Sequence, residues 1–244
     1  MKKLIIYSII LLLIGALLYI NKGRVYNYAR NILISINTKR NSVQKENGDF
    51  VWGIDISHHQ KSIDWDLLVD KNRPDFIFFK CTEGQTHQDT KYQTYKREAD
   101  KRGIVNGAYH FFSYQSPGRN QAVNFIKHSN LKEGDLYPVL DIEYKTNRPS
   151  DKEIRKQVKE FCEVIRSKYG VNPIIYCEYD YYNSILKPEF KDFNYWISNL
   201  YTEPKGEYVF WQYTDRGNVE GIGEIDNNRL NSNKKLYDYF LKSR

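Results

Sequence analysis

From residue 51 onward, short apolar runs alternate with stretches whose apolar positions recur at helical spacing. Residues 51–57 read as a strand, and Asp64 caps a short helix through Val69. Residues 76–81 form a buried strand, followed by a charged helix over 89–101 and a third strand over 104–112. Ser116 and Pro117 open a helix to about His128 in the N-cap/N1 arrangement, and residues 136–144 form the fourth strand. Ser150 and Glu153 then make a capping box, Ile154, Val158, Phe161 and Ile165 form an apolar stripe, and Gly170 stops the helix. A fifth strand follows over 172–179, with a short helix near 181–186. After that the rhythm changes: 195–200, 208–213 and the stretch around Ile225 are strands joined by loops, and a last helix is expected over 234–241. Five β-α units and three nearly bare strands predict a single α/β domain over 50–244. The expected architecture is a modified TIM-like (β/α)5(β)3 barrel.

The chain before residue 50 follows different rules. Leu4 to Ile20 is a run of 17 residues without a charge, preceded by Lys2 and Lys3. Such a run is a membrane-spanning anchor or a signal peptide. No small-x-small cleavage pattern follows it, which favours the anchor. Val25, Tyr28, Ile32 and Ile36 then recur at near-helical spacing, as in an amphipathic segment on a membrane surface. Residues 37–49 are polar and unpatterned, so 23–49 reads as an amphipathic stretch and a polar linker.

Charge changes the picture only once it is divided. The formal net charge is +7, but residues 1–49 hold eight Lys/Arg against two acids, whereas 50–244 hold 29 against 28. The nearly neutral barrel excludes a nucleic-acid-binding surface. Three cysteines without C-x-x-C spacing exclude a disulfide framework and a zinc site, leaving buried thiols or one Cys162–Cys177 bridge. Aromatic content is 15% with 21 Tyr, enough for a core and for sugar-stacking platforms.

Residues at the C-terminal strand ends of such a barrel line one mouth. Reading those ends gives Asp55; then Lys80, Thr82 and Glu83; Tyr109 and His110; Asp141 and Glu143; Tyr176; Trp196; Trp211 with Gln212; and Asp226. Asp141 and Glu143 are two positions apart, so on one strand they share a face, roughly 6.5–7 Å apart along the backbone. Like charges set side by side cost stability, and folding alone gives no reason for the pair. Glycoside hydrolysis does, because one carboxyl must stay protonated while its neighbour is ionised.

The segments Gly53-Ile54-Asp55-Ile56-Ser57, Phe79-Lys80-Cys81-Thr82-Glu83-Gly84 and Gly107-Ala108-Tyr109-His110-Phe111 resemble glycoside hydrolase family 25. So do Pro138 to Glu143, Phe210-Trp211-Gln212-Tyr213-Thr214 and the Gly-Ile-Gly-Glu-Ile-Asp run ending at Asp226. These motifs fall in family order across the globular part. The resemblance implies a Chalaropsis-type lysozyme, an N-acetylmuramidase acting on peptidoglycan glycan strands without metal or cofactor. It implies Glu143 as the catalytic acid, Asp141 as its partner carboxylate and Asp55 and Asp226 as flanking acids. Lys80, Glu83, Tyr109, His110, Tyr176, Trp196, Trp211 and Gln212 would then contact substrate. Such an enzyme is expected to act as a monomer outside the cytoplasmic membrane, tethered by the N-terminal run or secreted if that run is cleaved.

Two other classes remain at this stage. A non-catalytic peptidoglycan-binding protein could keep the fold, although all four acids are present. A metal-dependent barrel hydrolase would need a ligand set, yet no H-x-H or H-E-x-x-H motif occurs and His58 and His59 are adjacent.

Overall fold

The structure is a computed structural model that describes residues 22–46 and 48–243, the side chains of 43, 44 and 46 excepted. The apolar run 4–20 lies outside the described residues. Among the described residues, no helix is long and apolar enough to cross a membrane.

The chain begins with helix α1 (Lys22–Glu46), then alternates β1 (Trp52–Ile56), α2 (Trp65–Asn72), β2 (Phe76–Glu83), β3 (His87–Gln88), α3 (Tyr92–Lys101) and β4 (Val105–Phe111). Next come α4 (Gly118–Ser129), β5 (Val139–Asp141), α5 (Asp151–Tyr169) and β6 (Ile174–Glu178). A helical stretch over 179–190 leads to β7 (Tyr195–Ser198), β8 (Phe210–Val219) and β9 (Gly223–Leu230). The sheet order β1-β9-β8-β7-β6-β5-β4-β2 closes through a β1–β2 pairing into an eight-stranded barrel, with β3 hairpinned onto β2 outside the ring. Strands β1 to β8 of the ring run parallel; β9 alone runs antiparallel, to both β8 and β1. The eight strands are those read from the sequence.

Local chemistry explains most boundaries. Asp64 accepts from the Leu67 amide to start α2, and Ser150 from the Glu153 amide to start α5. Gly170 ends α5 at φ 79°, where only glycine is unstrained. Pro117, rather than Ser116, occupies the cap position of α4. The helix expected over 234–241 is reduced to a 3-10 turn, Leu236–Tyr239, because Phe240 bridges to Leu136 and the Leu241 amide donates to the Asp135 carbonyl. That pairing pulls the chain end extended, across the bottom of the barrel.

Two apolar layers hold the ring. Phe76, Phe78, Leu136, Val139, Ile174, Trp196, Phe210 and Leu230 fill the interior, with Phe78 stacked on Trp196 at 4.9 Å between ring centroids. Ile54, Ile77, Phe79, Leu140 and Ile175 face outward onto the helices. Opposite parities along each strand produce the two layers.

The polar stretch after residue 37, which reads as a linker, is helical to Glu46 and docks on the barrel. Asn37 Nδ2 donates to the carbonyls of Leu200 and Tyr213 at 2.9 and 3.0 Å. Thr38 Oγ1 meets Thr214 Oγ1 at 2.9 Å, Arg229 donates to Asn41 Oδ1 at 3.3 Å, and Lys45 lies 3.5 Å over the Trp52 ring. The docked stripe (Ile34, Asn37, Thr38, Asn41, Lys45) has helical spacing, but all save Ile34 are polar, so a search for apolar periodicity passes over it.

Candidate active site

Asp141 ends β5, and the ladder continues one residue further because the Ile142 amide donates to the Tyr176 carbonyl at 2.9 Å. Alternation therefore holds past the strand: Asp141 and Glu143 turn into the mouth while Ile142 is buried outward. Tyr114 donates to the Glu143 carbonyl at 2.8 Å and pins the backbone there.

The mouth is an open cleft of about 410 Å³. Asp55, Lys80, Glu83, Tyr109, Asp141, Glu143, Tyr176, Trp196 and Asp226 line it, as the strand-end reading placed them. Asp55 and Asp226 are direct partners in the β1–β9 register, and their carboxyls are hydrogen-bonded to each other.

Behind Asp55 lies a chain of oriented amides. Trp196 Nε1 donates to Asn228 Oδ1 at 2.9 Å, which turns the Asn228 amino group onto Asp55 Oδ2 at 2.7 Å. Tyr176 and Ser198 both donate to Gln212 Oε1 at 2.8 Å, turning the Gln212 Nε2 toward Asp55 at 3.4 Å. The indole and hydroxyl donors thus decide which way each amide points.

Four carboxyls converge in a partly dehydrated space, and all four are pushed toward the protonated form. Burial is the main cause for each. Asp226 rises to about 9, with the neighbouring Asp55 as the next contributor. Asp55 reaches only about 6, because the Asn228, Gln212 and Asp226 hydrogen bonds favour its charged form. Asp141 is raised by burial and then by Glu143, and one of its oxygens has no hydrogen-bond partner. Glu143 is raised by burial and then by Glu178 at the end of β6. Nearby, Lys80 binds Glu83 at 2.7 Å and sits 4.5 Å over the Phe111 ring. Although partial burial opposes it, that ion pair holds Glu83 below its ordinary range.

Three expected substrate contacts lie elsewhere. His110 points out of the barrel, bonded to Thr82 at 2.8 Å and Gln121 at 3.0 Å, packed against Phe161 and held neutral by burial at about 4. Trp211 is also turned outward, fully buried, donating to the Asn199 carbonyl at 2.8 Å. Tyr109 and His110 are adjacent, as are Trp211 and Gln212, so a strand can offer only one of each pair to the mouth. Gln212 faces inward but stands behind Asp55 without lining the cleft.

Ser57, His59, Gln60 and Phe111 line the cleft and escaped the strand-end reading. Phe111 shares Tyr109's parity, a signal that was available. The other three sit on the turn after β1, where Ser57 accepts from the His59 amide and Gln60 accepts from the Ser57 amide. That turn brings the His58 and His59 rings together, tilted at 36° with centroids 4.1 Å apart, and His58 pairs with Asp89 at 2.7 Å. The extended segment assumed from sequence would have separated them. The three cysteines are buried free thiols.

Residues 54–222 match the profile of Glycosyl hydrolases family 25. The chain belongs to that family. It is a glycoside hydrolase. An Escherichia coli (strain K12) relative, the uncharacterized protein YegX, is 33% identical over 200 residues, covering 78% of this chain and 73% of its own. Lysozyme M1 of Streptomyces globisporus is 29% identical, covering 74% of this chain and 68% of its own. Among solved structures, a family 25 glycosyl hydrolase from Bacillus anthracis superposes with a TM-score of 0.72 at 30% identity, over 79% of this chain and 94% of that one.

Proposed function

We propose that this family 25 glycoside hydrolase is an N-acetylmuramidase, cleaving the β-1,4 bond between N-acetylmuramic acid and N-acetylglucosamine in peptidoglycan. The observation that carries this reading is the projection of Asp141 and Glu143 from one strand end into a single open cleft. The lysozyme relative supports the substrate.

Glu143 is the general acid. Burial and the Glu178 charge keep a proton on it, and it is the less buried of the pair, reachable by a glycosidic oxygen. The two carboxyls share one proton, which Glu143 holds, so Asp141 is the ionised member of the pair and its negative charge faces the positive charge that develops at the anomeric carbon as the bond breaks. Asp226 holds its proton and donates to Asp55, so this second pair presents one charge rather than two. Tyr109, Phe111 and Tyr176 offer rings against which sugar faces pack, and the Lys80–Glu83 pair fixes the polar wall.

Incubating the full-length protein with purified peptidoglycan and identifying the new reducing end tests the reading. Muramic acid there supports it, whereas glucosamine would make the enzyme a glucosaminidase. Following the anomer first released decides whether Asp141 and the substrate's 2-acetamido group lead to retention or inversion.

We place the enzyme at the outer face of the cytoplasmic membrane, attached through residues 4–20, since its substrate lies on that side. The helical docking of residues 37–46 removes the flexible reach that a linker would give.

A further inference from the structure

Apart from Ile34, the large apolar residues in the first four turns of α1 point away from the barrel. Val25 is 48% exposed, Tyr28 71%, Ile32 43% and Ile36 61%, and Tyr26 and Leu33 extend the same exposed face. At 3.6 residues per turn this face is centred about half a turn from the docking stripe of Ile34, Asn37, Thr38, Asn41 and Lys45. Exposed Lys39 and Arg40 continue it on the same side of the helix beyond Ile36, and α1 as a whole carries six basic residues against one acid. The 17-residue uncharged run ends two positions before α1 begins.

We propose that the outer face of α1 lies flat on an anionic lipid bilayer, so that the helix is sandwiched between membrane and barrel and fixes the direction in which the cleft opens. This rests on the membrane attachment proposed above and adds the orientation. An apolar stripe flanked by cations, fed directly by an apolar run, matches an interfacial helix in composition and in geometry. A second copy of the chain would set like charges against each other across the same face.

The orientation follows from how α1 docks. Its C-terminal end meets Trp52 at the start of β1 and Asn72 at the end of α2, which is the bottom of the barrel. Arg30 donates to the Tyr201 hydroxyl just beyond β7, at the mouth. The helix therefore runs down the barrel wall from mouth to bottom. With its outer face on lipid, the barrel lies on its side, and the cleft opens along the membrane surface. The glycan strand it takes is one running close beside the membrane.

Full-length protein carrying Ile36→Cys, Tyr144→Cys or Val123→Cys, each labelled with a thiol-reactive fluorophore, tests this in phosphatidylethanolamine/phosphatidylglycerol vesicles containing a doxyl-lipid quencher. Cys81, Cys162 and Cys177 are at most 3% exposed, so the parent protein gives the labelling background. Val123 sits on α4 beside β4, across the ring from β8, and Tyr144 sits at the mouth. Quenching at position 36 should exceed that at 123 by at least about twofold, since an interfacial helix sinks roughly 5–10 Å into the headgroup boundary. Position 144 should fall between them. Failure of the protein to float with vesicles overturns attachment and orientation together. Flotation with equal quenching at 36 and 123, or with strongest quenching at 144, overturns the orientation and leaves attachment standing.

Discussion

Asp55 and Asp226 stand directly opposite each other in the β1–β9 register with their carboxyls hydrogen-bonded, one near pKa 6 and the other near 9. Around neutral pH, Asp226 is the donor and Asp55 the acceptor. The asymmetry comes from the partners: Asp55 also accepts from Asn228 and Gln212, whereas Asp226 faces further negative charge from Asp215 and Glu143.

A raised carboxyl makes the folded state bind more protons than the unfolded one. Its contribution is fully present below about pH 4 and is lost as pH rises through the folded value near 9. Thermal stability should therefore decline across that window. Asp226→Asn, which keeps a donor toward Asp55 and cannot ionise, should flatten the decline. Its Tm should exceed that of the parent at pH 8 by about 2–4 °C for each kcal/mol recovered, and match it near pH 4. An unchanged slope in a Tm-against-pH series would remove Asp226 from the account.

Glu143→Gln should lower kcat on peptidoglycan by about 10²–10⁴-fold with little change in KM, since only the proton donor is lost. The unfolding midpoint should hold or rise, because a buried group that resists charging is replaced by a neutral one. Reducing-end release gives the rate, and undiminished turnover would exclude Glu143 from proton transfer.

Glu178 is the largest influence on Glu143 after burial, and it acts by repulsion. Removing its charge in Glu178→Gln should let Glu143 lose its proton more easily. The alkaline limb of the kcat/KM profile should then move to lower pH while the rate at the acidic end is retained. A shift to higher pH would contradict the electrostatic coupling.

Asn37→Ala would leave the Leu200 and Tyr213 carbonyls without the donor that now spans them. The expected loss is about 1–3 kcal/mol, seen as a lower urea midpoint. If α1 were only a loose tether, the midpoint would not move.

Gly118 opens α4 where a Cβ would come within 1.9 Å of the Gln157 carbonyl oxygen. Backbone cannot yield as a side-chain tip can, so Gly118→Ala should force α4 and α5 apart at a cost of about 3 kcal/mol or more. A chemical denaturation curve equal to the parent's would show that the two helices have slack.

Strand and helix periodicity, the Ser150 cap and Gly170 were enough to read eight strands and a barrel, because these signals are local; of the Ser150–Glu153 box only the Ser150 half forms, as the Glu153 carboxylate accepts from Gln157 instead. The acids and most cleft aromatics were legible for the same reason: strand ends mark the mouth. Strand-end position alone does not tell which way a side chain points: parity ties Phe111 to Tyr109 and opposes His110 to both, but only the closed ring settled which of the two sets faces in. The turn at His58–Gln60 was invisible because its bonds run from side chain to backbone and from His58 to Asp89, 31 residues away. Helix α1 shows the limit most clearly. Its apolar stripe was read from sequence alone, but which face the barrel takes was decided by polar groups that meet two carbonyls and a hydroxyl more than 160 residues downstream, and hydrophobic periodicity carries no record of those partners.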